Sequence, residues 1–478
     1  MVRRALVLAA ATALGGCTVV GPDYHVPDTA MVNAPAAQGA FQSIGAATTQ
    51  EPLPDHWWRL YENPTLDRLI EQAFAANTDL RVAEANLERS LALLDQRNAG
   101  REIQGSANAE TSWAQRSAEA ELSHVKPPTR QIYNMGIGAS YDLDLFGGIK
   151  RGIEAASADA DAAVAARDLV RVTVAAETAR AYADICNAGY QRDVLGRAIA
   201  VLEQSVRLTR IMVSHGRAAP YELDRRQALL EASQARLPQL VARQRNALFR
   251  VTSLAGRTPG EADTSLLACH APLALTRMIP VGDGAALLKR RPDIRMAERR
   301  LAATTARIGV ATADLYPDIR LGASIGSTGA AADFLSPLTN RFGLGPLISW
   351  TLNRHAVRAR IAATEAQSRG DLAAFDGAVI KALREVETAL TNYQAGLEQQ
   401  EGLDRASADA MRAAMRMGQL RRGGKIAALP ALEAERDRVA ADQAAAEARA
   451  AINDDQITLF LALGGGWGNG NANELGAD

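Results

Sequence analysis

The chain has 478 residues, and 53 Lys and Arg against 54 Asp and Glu leave a net charge of −1, which excludes the basic footprint of a nucleic-acid-binding protein. Apolar residues make up 47% and aromatic ones only 5%, with alanine abundant, a balance that builds long, closely packed helices rather than a bulky core. The 6 histidines are scattered without metal-ligand spacing and no Ser/His/Asp or Cys/His arrangement is indicated, so the sequence reads as a non-enzyme with no metal and no cofactor.

Arg3 and Arg4 precede a short apolar run that ends in Leu14-Gly15-Gly16-Cys17. A run of about 10 residues is too short to span a bilayer, which takes about 20, so residues 1–16 read as a signal peptide. The small residues before Cys17 resemble a bacterial lipobox, which would make Cys17 the lipidated first residue of the mature chain, held to a membrane leaflet by acyl chains. Residues 17–65 follow as an extended N-terminal segment. No later stretch is apolar and long enough for a transmembrane helix, so a membrane span has to come from strands.

Residues 66–256 form a first structural repeat. A helical segment from Leu66 to Asn98 leads into a strand at 103–113, where Ile103, Gly105, Ala107, Ala109, Thr111 and Trp113 alternate with Gln104, Ser106, Asn108, Glu110 and Ser112. A second strand at 132–145 sets Tyr133, Met135, Ile137, Ala139 and Tyr141 against Asn134, Gly136, Gly138, Ser140 and Asp142. Phe146-Gly147-Gly148 ends the sheet, and Gly147-Gly148-Ile149-Lys150 lacks the spacing and the Ser/Thr of a phosphate loop. From Ile149 to Ser214 nothing stops a helix of roughly 100 Å. Heptad-like steps mark its seam at Ile149, Ile153, Ala156, Ala160 and Ala163, then at Leu195, Ile199, Leu202, Val206, Thr209 and Val213. The rod turns at 215–220 and returns to Leu254.

Residues 257–282 are a connector, and 283–465 repeat the pattern with strands at 318–328 and 341–352, a helix from His355 to Arg421, a turn at 423–427 and a return to Leu463; a tail covers 466–478. Asp79-Leu80-Arg81, Ala83, Glu84 and Leu87 come back as Asp293-Ile294-Arg295, Ala297, Glu298 and Leu301, and Glu177 and Gly216 come back as Glu385 and Gly424, at a near-constant offset that marks one duplicated unit. Beside Cys17 the chain has only Cys186, on a predicted helix, and Cys269, in a distant loop; that placement weighs against a bridge and leaves the pairing open.

The polar strand faces and the aromatics Trp113, Tyr133, Tyr141 and Trp350 near strand ends match a transmembrane strand with interfacial girdles better than a half-buried soluble sheet. Four strands cannot close, since the smallest transmembrane barrels have about eight. Two copies would give a barrel filled by side chains, whereas three would give twelve strands and a water-filled lumen.

Cys17-Thr18-Val19-Val20-Gly21-Pro22-Asp23-Tyr24, Arg291-Pro292-Asp293-Ile294-Arg295, Leu315-Tyr316-Pro317 and the closing Ala462-Leu463-Gly464-Gly465-Gly466-Trp467, in this order and spacing, resemble the outer membrane efflux family of TolC type, lipoprotein branch of OprM and NodT. The resemblance implies a mostly α fold with a transmembrane β portion: a homotrimer whose twelve strands form an outer membrane barrel and whose coiled-coil helices form a periplasmic tunnel. It also implies a location in the outer membrane, in contact with its lipid, with a periplasmic adaptor and an inner membrane pump as partners. The expected activity is that of an exit duct of a tripartite efflux system for small toxic compounds or drugs.

By position, the adaptor-contacting tips fall on Gly216, Arg217, Ala218 and Ala219 and on Gly424, Lys425, Ile426 and Ala427, where Pro220 and Pro430 depart from the family's commoner residues. Periplasmic gate candidates are Asp224 and Glu433, with Arg421 and Arg422 as partners. A duct for protein or peptide secretion is the first alternative, and a periplasmic coiled-coil structural or adaptor protein the second.

Overall fold

The computed structural model describes residues 19–115, 117–119 and 124–465, so the signal segment, Cys17 and the tail 466–478 lie outside the described residues. In chain order the principal elements are β1 (Thr48–Thr49), α1 (Pro64–Ala76), α2 (Thr78–Asn98), β2 (Gln104–Ala114), β3 (Arg130–Asp142), α3 (Gly148–Ser214), α4 (Pro220–Leu254), β4 (Ile279–Pro280), α5 (Gly284–Arg290), α6 (Pro292–Ala313), β5 (Asp318–Ala330), β6 (Asn340–Ser349), α7 (Arg354–Arg422) and α8 (Ala428–Ala462). The order α2, β2, β3, α3, α4 recurs as α6, β5, β6, α7, α8. No described helix is long and apolar enough to cross a membrane.

The chain divides into two compact units. The first holds the described residues of Met1–Pro27 with Asn86–Val164 and Met296–Phe375. Its sheet is antiparallel throughout, in the order β2-β3-β5-β6. β3 stops at Asp142 rather than 145 because the Leu145 N–H turns back onto the Leu143 carbonyl (2.6 Å). β6 likewise stops at Ser349 rather than 352, where the Arg354 N–H reaches Leu352 O (2.9 Å).

In the α3 portion of this unit the buried stripe runs through Ala155, Ala158, Ala160 and Ala162; of the expected seam only Ala160 is buried, while Ile149, Ile153, Ala156 and Ala163 are partly exposed. The reason is a strap, Val19 to Tyr24. Arg151, with its side chain 4% exposed, donates to Val20 O and Gly21 O (both 3.1 Å) and to Asp23 (2.7 Å), which turns its side of α3 inward. Burial opposes the Arg151 charge, but hydrogen bonds to Glu154 and Asp23 outweigh it and hold the guanidinium pKa above its ordinary value. Gly21, at φ +86°, passes so close to α6 that a Cβ would sit 2.3 Å from Gly309 Cα. Tyr24 completes the strap by packing on Ala158, Ala302 and Ala303 and donating to Glu298 (2.5 Å).

The second unit, Asp28–Ala85, Ala165–Arg295 and the described residues of Asp376–Asp478, carries the main core. Trp57 stacks on Phe460 at 4.5 Å and both are fully buried, with Ile70, Ile185, Leu390 and Ile457 in the same cluster. Small residues of α3, among them Ala175, Ala179 and Ala183, let the wrapping segments approach the helix closely. Further along α3 the expected seam matches better: Leu195, Leu202, Val206 and Thr209 are buried.

The helices leading to the strand pairs each break in two. Asn77 leaves the helical region (φ −61°, ψ 132°), and its side-chain oxygen accepts the N–H groups of Asp79 and Leu80 as the N-cap of α2. Arg291 is extended (φ −63°, ψ 121°) because Pro292 follows it. Each break residue also caps the returning helix of its own segment: Asn77 donates to Leu254 O (3.0 Å) and Arg291 to Ala462 O (2.7 Å), the last residues of α4 and α8. Arg291 further bridges Asp293 (2.7 Å) and Glu385 (2.8 Å); these hydrogen bonds overcome its burial and keep its pKa raised.

Cys186 and Cys269 are bridged, with S–S 2.08 Å and Cα–Cα 4.6 Å, against the sequence expectation. Distance along the chain misled. The connector crosses α3 directly over Gly189, where a Cβ would lie 2.2 Å from Cys269 O, and Gln244 holds the connector by donating to Leu267 O (3.1 Å).

Candidate functional site: the two-faced sheet and the hairpin turns

Register aligns the apolar residues of the four strands in rows. Ala107, Ile137, Ile325 and Phe342 lie side by side, as do Gly105, Ala139, Ala323 and Leu344. This face is bare in one protomer: Ile137 is 65%, Ile325 66%, Phe342 89% and Leu344 85% exposed. Such a contiguous apolar surface has to meet lipid or protein. On the opposite face run Ser106, Gly138, Ser324 and Gly343, then Asn108, Gly136, Gly326 and Arg341. Arg341 lies across the two glycines and donates to Asn134 (2.8 Å) and Thr328 (3.0 Å).

Strands of 10 to 13 residues fit the roughly 9–11 that a tilted crossing takes. Among the described residues no strand pairs with the outer edge of β2 or of β6. Of the expected girdle aromatics, Trp113, Tyr141 and Trp350 are exposed, but Tyr133 is only 6% exposed. It sits under the loop that joins β5 to β6, its hydroxyl bonded to Ser327 (2.8 Å) and Thr339 (3.0 Å), so it fastens that loop instead of standing in an interface.

In the second unit both hairpin turns are built alike. The Gly216 N–H reaches Val213 O (3.0 Å) and the Arg217 N–H reaches Met212 O (2.7 Å); Gly424 and Lys425 repeat this with Arg421 O (3.0 Å) and Leu420 O (2.9 Å). Paired bonds of this kind close a helix on a left-handed residue, and the glycines stand at φ +67° and +69°. Nothing lies within 4 Å of a Cβ at either, so glycine is needed there for backbone conformation and not for packing. Arg217, Ala219, Gly424, Lys425 and Ala427 are exposed, with Ala218 and Ile426 partly covered. Pro220 opens α4 at its first helical position, where the absent N–H needs no partner, and Pro430 lies in the first turn of α8.

The structure brings only part of the gate set together. Asp224 is exposed and makes no ion pair among the described residues, while Arg421 and Arg422 are exposed and paired with neither carboxylate. Glu433 instead faces Arg226 at 3.7 Å, and Arg226, 8% exposed, donates to Ser205 (2.8 Å), joining α3, α4 and α8. Its Nε and Nη2 have no hydrogen-bond partner among the described residues. Sequence reading overlooked Arg226, although its place between Leu223 and Leu230 sets a charge on the apolar seam of α4.

The family model for outer membrane efflux protein matches residues 69–257 and 285–465. The chain belongs to this family. The toluene efflux pump outer membrane protein TtgC of Pseudomonas putida is 28% identical over 483 residues, spanning 95% of this chain and 93% of TtgC. The pyoverdine export outer membrane protein OpmQ, also of Pseudomonas putida, is 28% identical over 440 residues, spanning 90% of this chain and 92% of OpmQ. Among solved structures the outer-membrane channel OprN superposes with a TM-score of 0.85 at 32% identity, covering 94% of this chain and 99% of OprN. As a member of the outer membrane efflux protein family, this chain is an outer membrane efflux channel with a periplasmic portion.

Proposed function

We propose that three copies complete a twelve-stranded barrel and a helical tunnel that together serve as a passive exit duct for small toxic compounds. The observation that carries this reading is the open sheet, with its apolar face exposed and the outer edges of β2 and β6 unpaired within the described protomer. Identical neighbours would satisfy those edges without leaving backbone polar groups in lipid. Relatives named for toluene and for pyoverdine favour small molecules over secreted proteins as cargo. Nothing in the reading calls for catalysis, and transport energy is assigned to an inner membrane pump reached through a periplasmic adaptor.

Further parts of the proposal are a duplicated unit, lipid on Cys17, adaptor contact at the turns of Gly216 and Gly424, and a gate that includes Asp224 and Glu433. Planar-bilayer recording on purified protein tests the duct: trimers that give discrete conductance steps support it. Folded protein that stays monomeric and gives no steps favours the coiled-coil bridge. Mass spectrometry of the N-terminal peptide tests the anchor, an unmodified Cys17 counting against it. Co-purification of adaptor and pump should be lost in Gly216→Val/Gly424→Val, and its retention would remove the turns from the interface.

A further inference from the structure

Charge is distributed unevenly along the hairpins. Residues 210–226 and 410–433 hold nine Arg and Lys against three Asp and Glu, in a chain whose net charge is −1. One of the three carboxylates, Glu433, is taken by Arg226, and that contact brings the ends of the two hairpins together. Arg210, Arg217, Arg225, Arg416, Arg421, Arg422 and Lys425 are exposed, and none of them has a carboxylate at ion-pair distance among the described residues. Beyond the paired Glu433 the region offers only Glu222 and Asp224.

Resting on the reading that these turns dock a protein, we propose that the hairpin ends form a cationic collar that recognises an acidic helical hairpin of the partner. Self-association does not neutralise the collar, because every added copy brings the same excess of positive charge. The cations also extend along the helix flanks: Arg416 to Arg422 covers about 9 Å of α7 at 1.5 Å per residue. That depth suits helices lying alongside one another, which meet every cation at contact, whereas the field of a flat anionic bilayer touching the turns has fallen to about a third at the far end of that span, the Debye length being about 8 Å. The open space around Gly216 and Gly424 leaves room for a partner backbone. Charges of this kind act mainly on the association rate and on choice of partner.

The full-length channel in detergent is immobilised and offered three probes. These are a synthetic αα-hairpin with glutamate on its outward faces, the same hairpin with glutamine at each glutamate, and phosphatidylglycerol vesicles. The glutamate hairpin should bind at least tenfold more tightly than the glutamine hairpin, and the difference should collapse at about 0.5 M salt. Arg421→Glu/Arg422→Glu/Lys425→Glu, with its oligomeric state checked by size, should abolish the preference. Equal binding of the two hairpins, no binding of either, indifference to the reversal, or stronger capture of vesicles would each overturn the proposal. If Gly216→Val/Gly424→Val abolishes hairpin binding while charge reversal does not, docking at the turns stands and only its acidic chemistry fails.

Discussion

Replacing Gly189 by alanine separates two effects of opposite sign. In the interior of a long helix alanine is favoured over glycine by about 1 kcal/mol, so propensity alone makes Gly189→Ala stabilising. The local geometry opposes it. The new methyl would sit 2.2 Å from the Cys269 carbonyl oxygen and 3.0 Å from Gln244 Nε2. The oxygen cannot yield by a rotamer change, since it is backbone, and its segment is pinned by the disulfide and by Gln244. Relief requires the connector to lift by about 1 Å to reach ordinary contact distance, and overpacking of this kind costs about 1–3 kcal/mol. Gly196, on the same helix with nothing within 4 Å of its Cβ, is the matched control, for which only propensity acts. Thermal unfolding followed by circular dichroism should therefore move upward for Gly196→Ala and stay level or fall for Gly189→Ala; the propensity gain of about 1 kcal/mol is common to both, so the gap is the overpacking cost of about 1–3 kcal/mol. Gly189→Ala as stable as Gly196→Ala would refute the claim that the connector lies on α3 at this point.

Cys186→Ser/Cys269→Ser opens a loop with a sequence separation of 83 residues and should lower stability by about 2–5 kcal/mol, a loss that reductant reproduces in the native chain and not in the variant. Arg291→Ala leaves Asp293 and Glu385 without their buried cation and should destabilise by about 3–5 kcal/mol, whereas Asn77→Ala, which removes a neutral cap, should lose about 1–2 kcal/mol; denaturant titration of the two variants checks the ranking. Burial, then the hydrogen bond to Glu298, pushes the Tyr24 phenol above its ordinary value of 10.0. Its contribution to stability is therefore fully present below that value and is lost only as pH rises through the elevated folded value. A spectrophotometric titration of native protein minus Tyr24→Phe should show this phenol ionising after the exposed tyrosines, and ionisation at the ordinary pH would count against the strap.

The strands, the long helices and both glycine turns are legible in the sequence because each is written locally, as alternation of period two, as unbroken heptad steps, or as a glycine that a left-handed turn requires. What escapes is written across distance. Asn77 and Arg291 do equivalent work at corresponding places, yet one is a short amide and the other a long cation, so a comparison of identities passes over them. The disulfide needed the knowledge that the connector folds back over Gly189, which no local pattern encodes. The shifted seam near the start of α3 follows from the strap on Arg151, and Arg226 was hidden among many surface arginines. Tyr133 was placed correctly near a strand end and misread in purpose, because the loop that covers it carries no signal of its own.

The bare sheet has a consequence for how such a molecule is made. The caps, the main core and the disulfide of the helices all lie within one polypeptide. On the proposed assembly the four strands are in a different position: until neighbouring copies and lipid cover them, they present unpaired borders and greasy side chains to water. If the proposal holds, maturation is expected to run in two stages, the helical core first and the shared sheet last. The interval between them is when the chain most needs an escort.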